Sequence, residues 1–318
     1  MSLHSFQPQP GAQENGQAAR WQEHSRSLCG NPGMVAVSRW FAESFLSHQQ
    51  LAPRAASVFA SQQKWLMAHL AASLYFRSTA NKGERLTLQH YIRAALQHRV
   101  ASRNTARDFF LELIKYNFSA SEVHFREVLT STVTELSAHP TPETMVNLMG
   151  WYQVHLRGLD LLDGRDRHAT FSKDTLRYMT IMEPLIADGF LTCPDIRSPG
   201  QAYGLFSWVD EGGFLMDRFI SGIDPAADLT ADTIPTDIAS VAEIAQGLNI
   251  SRVHAARVIG RAEAIGVVSW NGSRGRSRMW IARALHEEYV YFQALKMVII
   301  DVAFKAVPDV SMPRDGPP

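Results

Sequence analysis

The sequence predicts a mainly α protein in which two helix-turn-helix units, each followed by a small β-hairpin, are joined by flanking helices. Three observations point there. Apolar residues recur at helical spacing over most of the chain. Strand-like stretches are short and follow helical pairs. Residues 239–282 read as helix, turn, helix and then an Arg-rich hairpin, the strongest chemical signature in the chain.

Composition bounds the function. With 318 residues, 46% of them hydrophobic, the chain can fill one large or two modest cores. Lys and Arg total 31 and so do Asp and Glu, so any nucleic-acid surface must come from local clustering. The two cysteines, Cys29 and Cys193, lie far apart with no ligand-type spacing. No disulfide framework, metal or cofactor is therefore expected, and a reducing cytoplasm fits. No apolar run reaches the ~18–20 residues of a membrane span. The N-terminus lacks the charged-then-apolar order of a signal peptide.

In chain order, residues 1–33 are rich in Gln, Ser, Gly and Pro and are expected to be a disordered tail. Residues 34–165 form the expected first half and 166–307 the second, with a Pro-rich frayed end over 308–318. Residues 55–77 place Val58, Phe59, Gln62, Trp65, Leu66, His69, Leu70 and Leu74 on a helical stripe. Residues 86–116 read as helix, turn, helix, and 123–129 alternate like a short strand. Helices are expected over 141–162 and 172–188. The acidic, Pro- and Gly-punctuated span 195–243 holds an amphipathic piece around 205–220. A closing helix over 283–304 puts Leu285, Tyr289, Phe292, Ile299 and Val302 on one face. Residues 87–116 and 241–268 share one layout, which points to an internal duplication.

In the second unit, Val241, Ile244 and Leu248 supply an apolar face and Ala245 is small where two helices cross. Asn249 suits a left-handed turn, and Ser251 caps the next helix. On that helix Ala255, Ile259 and Ala262 face inward, while Arg252, His254, Arg257 and Arg261 largely escape. Gly266 stops it. Residues 267–270 and 279–282 are two strands joined by a basic loop carrying Arg274, Arg276 and Arg278. From Ser251 to Arg283 there are seven arginines and one acid, Glu263. Arginine on a helix can bind guanine in the major groove, and a basic loop can enter a minor groove or grip phosphate.

This segment resembles the winged-helix bacterial transcription regulators, particularly the MarR type. VAEIAQGLNISRVHAARVIGRAEAIGVV resembles the helix-turn-helix of that family, GSRGRSR its wing, and residues 283–304 its closing helix. The resemblance covers roughly the last quarter of the chain. It implies double-stranded DNA as partner and flanking helices that build a dimer interface. It also implies a small aromatic effector bound between those helices and the DNA-reading parts. Trp151, Tyr152, Tyr203, Phe206 and Trp208 are the candidates to line that pocket.

The first unit is weaker. Leu88, Tyr91, Ile92 and Ala95 face inward on its first helix, and the turn lies near residues 98–101. Ser102 caps a second helix whose exposed start bears Arg103, Asn104, Thr105 and Arg107; Ala106, Phe109, Phe110 and Leu113 pack inward. Its hairpin region, 117–128, offers only His124 and Arg126, offset by two glutamates. Two unequal units in one chain would be a fused counterpart of a homodimer. Such a chain would act as a monomeric pseudo-dimer or a homodimer, reading half-sites about 34 Å apart.

No Gly-rich phosphate loop, GxSxG elbow or HExxH is present, so no enzyme is expected. His286-Glu287-Glu288 lacks the second zincin histidine. His155, Asp160, Asp163 and His168 match no metal spacing and read as surface residues. Asp210, Glu211 and Asp217 fall in an aromatic-bearing amphipathic stretch. The leading expectation is a sequence-specific DNA-binding transcription regulator. The rivals are a plasmid-type replication initiator with tandem winged helices and a winged-helix protein-interaction subunit.

Overall fold

The computed structural model describes residues 12–51, 58–59, 61–80, 86–122, 136–274 and 277–308. It is mainly helical with small antiparallel sheets. Three helices come first: α1 (Ala12–Cys29), α2 (Met34–Leu51) and α3 (Gln62–Ala80). α4 (Leu88–Gln97), α5 (Arg103–Lys115), β1 (Ser119–Ala120), β2 (His139–Pro140) and α6 (Pro142–Asp163) follow. Next are α7 (Arg167–Lys173), α8 (Thr175–Thr192), α9 (Pro194–Arg197), α10 (Gln201–Ser207) and α11 (Gly212–Ser221). The chain closes with β3 (Thr233–Pro235), α12 (Val241–Gly247), α13 (Arg252–Ala264), β4 (Val268–Trp270), β5 (Met279–Ala282) and α14 (Arg283–Lys305).

The expected N-terminal tail is corrected from residue 12 onward. α1 is a helix packed on α14, with Trp21 only 6% exposed. Its buried stripe is Ala18, Trp21 and Ser25, and the Ser25 hydroxyl donates to the Trp21 carbonyl at 2.6 Å. One large apolar residue among small and polar ones looks disordered in sequence; the apolar face of α14 supplies the partner. The amphipathic piece around 205–220 is two helices, broken at Trp208–Val209–Asp210–Glu211, where Glu211 takes φ +63°. The strand expected at 123–129 lies outside the described residues. Val302, expected on the inner face of the closing helix, is 44% exposed.

The two helix pairs repeat each other bond for bond. Thr87 caps α4 and Ser240 caps α12, each accepting an N–H three residues on. Ser102 and Ser251 cap α5 and α13 the same way. Left-handed residues fall at matching turns, Arg99 and Asn249 before these helices, Asn117 and Gly266 after them. Val100 N–H donates to the Ala95 carbonyl and Ile250 N–H to that of Ala245, at 3.0 and 2.9 Å. Phe118 N–H bonds Leu113 O at 2.8 Å and Val267 N–H bonds Ala262 O at 2.9 Å.

The sheets match in part. β5 lies between β3 and β4, with Ile281 paired to both Ile234 and Val268. In the first unit β2 pairs with β1, and a bridge joins Thr87 to Ser137 on the other side. Each unit then runs directly into a long helix, α6 or α14.

The units are joined by exchange. α2 packs on α6 and on α11, while α8 packs on α14 and on α3. Each preceding helix thus supports the opposite unit. Two glycines let these helices close: a Cβ at Gly158 would stand 2.4 Å from Phe41, and one at Gly189 2.6 Å from Ile299. α6 and α14 also meet, and one apolar core runs through the whole assembly. Among the described residues no helix is long and apolar enough to cross a membrane. Cys29 and Cys193 are free thiols.

His155, Asp160 and Asp163, read as surface residues, serve packing. His155 is fully buried on α6, and burial holds its pKa well below the ordinary value. Asp160 and Asp163 accept hydrogen bonds from Arg167, together with Asp301 of α14. That cluster pins α7 between the two long helices.

Candidate nucleic-acid interface and central cavity

α13 is amphipathic for a simple reason: Ala255, Val258, Ile259 and Ala262 are buried on one side. Small residues there let it cross close to α12. Its outward side carries Val253, Arg257, Gly260, Arg261 and Ala264, with Arg252 at its start. Among the described residues, the side chains of Arg252 and Arg261 make no ion pair or hydrogen bond, and both are exposed. Arg278, at the foot of the β4–β5 loop, is likewise exposed and unpaired.

Three other expected contacts are placed differently. The His254 ring is turned inward: its Nε2 lies 2.9 Å from the Asp210 carbonyl oxygen and 4.0 Å from Glu211. Arg257 donates to His254 Nδ1 at 3.1 Å, which requires that nitrogen to be unprotonated. Arg274 is drawn to Glu263 at 3.6 Å, and the Trp270 indole donates to the same carboxylate at 2.7 Å. Glu263, the single acid of this segment, therefore anchors the hairpin to the helix. Arg276 lies outside the described residues.

Sequence reasoning missed two features of this face. Val253 is 79% exposed, an apolar side chain at the outer start of the helix. Gly260 sits mid-helix, and a Cβ there would meet nothing within 4 Å. A glycine inside a helix costs about 1 kcal/mol relative to alanine, and packing does not require this one.

On α5 the expected start is exposed: Arg103 and Asn104 are free of side-chain partners among the described residues. Ser102 and Thr105 are spent on capping, with Ser102 Oγ accepting the Thr105 N–H at 3.2 Å. Arg107 pairs with Asp108 at 3.2 Å, and that exposed acid lies on the same outward side. The outward face of α5 is thus less positive than that of α13.

The turns feeding both helices are braced from the opposite half. Gln49, near the end of α2, donates through Nε2 to the Leu248 carbonyl at 2.9 Å. Arg197, at the end of α9, donates to the Arg99 carbonyl at 2.9 Å and also holds that of His98.

A cavity of about 280 Å³ opens where the exchanged helices meet. Trp151 and Tyr203, two of the five expected effector-pocket residues, lie on its wall. The other three candidates do not. Tyr152 is buried and donates to Glu183, which also engages His69 Nδ1 at 2.9 Å. Phe206 is packed edge-on against Phe219 in the core. Trp208 is 46% exposed beside Lys64 and His254. Inside the cavity Lys296 is pushed down to about 8 by burial, opposed by the nearby Asp217. Asp217 is pushed up to about 7 by the same burial, opposed by the Tyr289 hydroxyl that donates to it at 2.6 Å.

No protein-family model matches the chain, and no curated protein or solved structure matches it either.

Proposed function

We propose that this chain is a cytoplasmic, sequence-specific regulator of transcription that binds double-stranded DNA through two unequal winged helices. The order helix, strand, helix, helix, strand, strand, with the last strand in the middle, supports that reading of the second unit; among the described residues the first has two strands and a single bridge, Thr87 to Ser137, in place of the third. The observation that carries it is the outward face of α13. Unpaired among the described residues, Arg252 and Arg261, with Arg278 on the adjoining hairpin, offer guanidinium groups to phosphate or guanine. Val253 adds an apolar contact of the kind that recognises a thymine methyl. Gly260 lets the helix backbone come close to DNA.

α5 is the second, weaker reading element, with Arg103 and Asn104 at its exposed start. Because α2 and α8 each support the opposite unit, one chain supplies a complete pseudo-dimer. Duplexes selected from a random pool, then footprinted with stoichiometry from light scattering, test this directly. One chain per site and an asymmetric footprint are expected. No retardation of any duplex at low salt would overturn DNA binding, and a symmetric footprint under two chains would overturn the fused arrangement.

A further inference from the structure

One arginine of α13 is exposed and yet held in place. Arg257 lies in the middle of the outward line of this helix, four residues after Val253 and three before Gly260. Residues so spaced share one helix face. Arg257 therefore stands where the helix would enter a groove.

Its orientation is set from outside the helix. His254 sits one turn back, and its Nε2 donates to the Asp210 carbonyl oxygen at 2.9 Å. That leaves Nδ1 to accept an N–H of Arg257 at 3.1 Å. A carbonyl only accepts and a guanidinium only donates, so the two partners fix the ring's tautomer from both sides. The carbonyl is aimed by the tight corner between α10 and α11. Glu211 takes φ +63° there, and a Cβ at Gly212 would collide with the Phe206 carbonyl. Val209 N–H donates to the Phe206 carbonyl and Gly212 N–H to that of Val209, both at 3.0 Å. Phe206 is fully buried, so the corner rests on the core.

One N–H of the Arg257 guanidinium is engaged in this way, and the group makes no ion pair among the described residues. The remaining donors of the fork stay open, at a fixed angle. Bidentate contact with O6 and N7 of guanine needs a fork in one orientation, whereas phosphate contacts carry no sequence information. Arg252, Arg261 and Arg278 have no side-chain partner among the described residues and suit phosphate. An arginine ordered before binding also loses less conformational freedom on contact. The matching place in the first unit differs. Six residues after its cap, Ser102, stands Asp108, and Thr105 takes the place of the histidine, 2.9 Å from the Ser102 hydroxyl.

We infer that Arg257 is the base-reading arginine of the second unit, taking O6 and N7 of a guanine in the major groove, and that His254 positions it. His254 touches no base; it passes the direction of the Asp210 carbonyl on to the guanidinium. Arg257 then supplies sequence preference, and the unheld arginines supply affinity. The guanine contact rests on the DNA-binding reading; the hydrogen-bonded chain does not.

The test uses the full-length protein and a duplex selected from a random pool. Each guanine is replaced in turn by 7-deazaguanine, which lacks the N7 acceptor, and affinity is read by fluorescence anisotropy. At one guanine the replacement should weaken binding by the natural protein about fivefold or more and leave Arg257→Ala unaffected. At that guanine the penalty in His254→Leu should fall to about twofold or less, although Arg257 is still present. On a random duplex, affinity and salt slope should be the same in His254→Leu as in the natural protein, since no phosphate contact is lost. Circular dichroism checks that the variants fold, and His254→Ala serves if His254→Leu does not. The absence of any guanine whose penalty depends on Arg257, or a penalty that survives in His254→Leu, overturns the assignment. Tighter binding by His254→Leu also overturns it, because the ring would then be holding Arg257 off the DNA.

The chain of hydrogen bonds is read without DNA. Histidine nitrogen NMR of the natural protein at about pH 8, where an ordinary imidazole is neutral, should show His254 with Nε2 protonated and Nδ1 bare. The opposite tautomer overturns the positioning role. If no duplex binds the natural protein at low salt, the DNA-binding reading falls and takes the guanine contact with it, while the tautomer still decides whether His254 orders Arg257.

Discussion

Alanine at Arg252, Arg261 and Arg278 together should flatten the salt dependence of DNA binding without loosening the fold. None of the three side chains has a partner among the described residues, so their removal deletes no internal contact. Exposed substitutions of that kind change stability by about 0.5 kcal/mol or less. Each phosphate contact contributes about 0.9 to the slope of log affinity against log salt, so three contacts contribute about 2.7. Over a fourfold rise in salt, from roughly 50 to 200 mM, that amounts to about a 40-fold loss of affinity that the variant would no longer show. Fluorescence anisotropy on a labelled selected duplex measures both slopes, and urea unfolding checks stability. Arg274→Ala is the internal comparison. Its guanidinium already lies against Glu263, so its contribution to the slope should be smaller. Parallel salt plots for the natural protein and the triple variant would refute the interface drawn on α13.

Gly260→Ala should stabilise the protein by roughly 0.5–1 kcal/mol, because the added methyl meets nothing and the helix gains propensity. The same change should weaken DNA binding by holding the α13 backbone away; thermal unfolding and anisotropy read the two effects separately. Gly158→Ala should destabilise by about 1–3 kcal/mol, since its methyl would drive into the buried ring of Phe41 where α2 crosses α6. A neutral result in urea unfolding would count against that helix crossing. Stability should also pass through a minimum near neutral pH. Asp217 binds its proton more tightly when folded, so its contribution falls from about pH 4 to about pH 7. Lys296 loses its proton more readily when folded, so stability recovers as pH rises from about 8 towards 10.5. Tm profiles of Asp217→Asn and Lys296→Met should each lack one limb of that curve.

Features with local causes were legible in the sequence. The caps at Ser102 and Ser251, the left-handed Asn249 and the helix stop at Gly266 each need only the side chain or its absence. The apolar spacing of α5 and α13 identified their buried faces, and the two hairpin strands of the second unit follow from an Asn-Gly loop between apolar runs. The candidate site was legible only in part. Arg252 and Arg261 are exposed as the spacing implied, but His254 is turned aside by the Asp210 carbonyl, which comes from a loop more than forty residues away in the chain. Tyr152 and Phe206 have the composition of a pocket wall and are core instead, because Glu183 and Phe219 cover them.

What the sequence determined by itself was the repeated helix-turn-helix layout and the local concentration of arginine. Both depend on contacts within a few residues, where hydrogen-bond geometry and helical period leave little choice. Only the tertiary structure decided which arginines are free, that α1 is a helix, and that α2 and α8 cross to the opposite units. Those outcomes depend on surfaces brought together from distant parts of the chain. The cavity is the clearest instance. Gln49, Asn147, Ser207, Gln293 and Lys296 show no pattern in sequence. They line one cavity only because helices from distant parts of the chain bring them together.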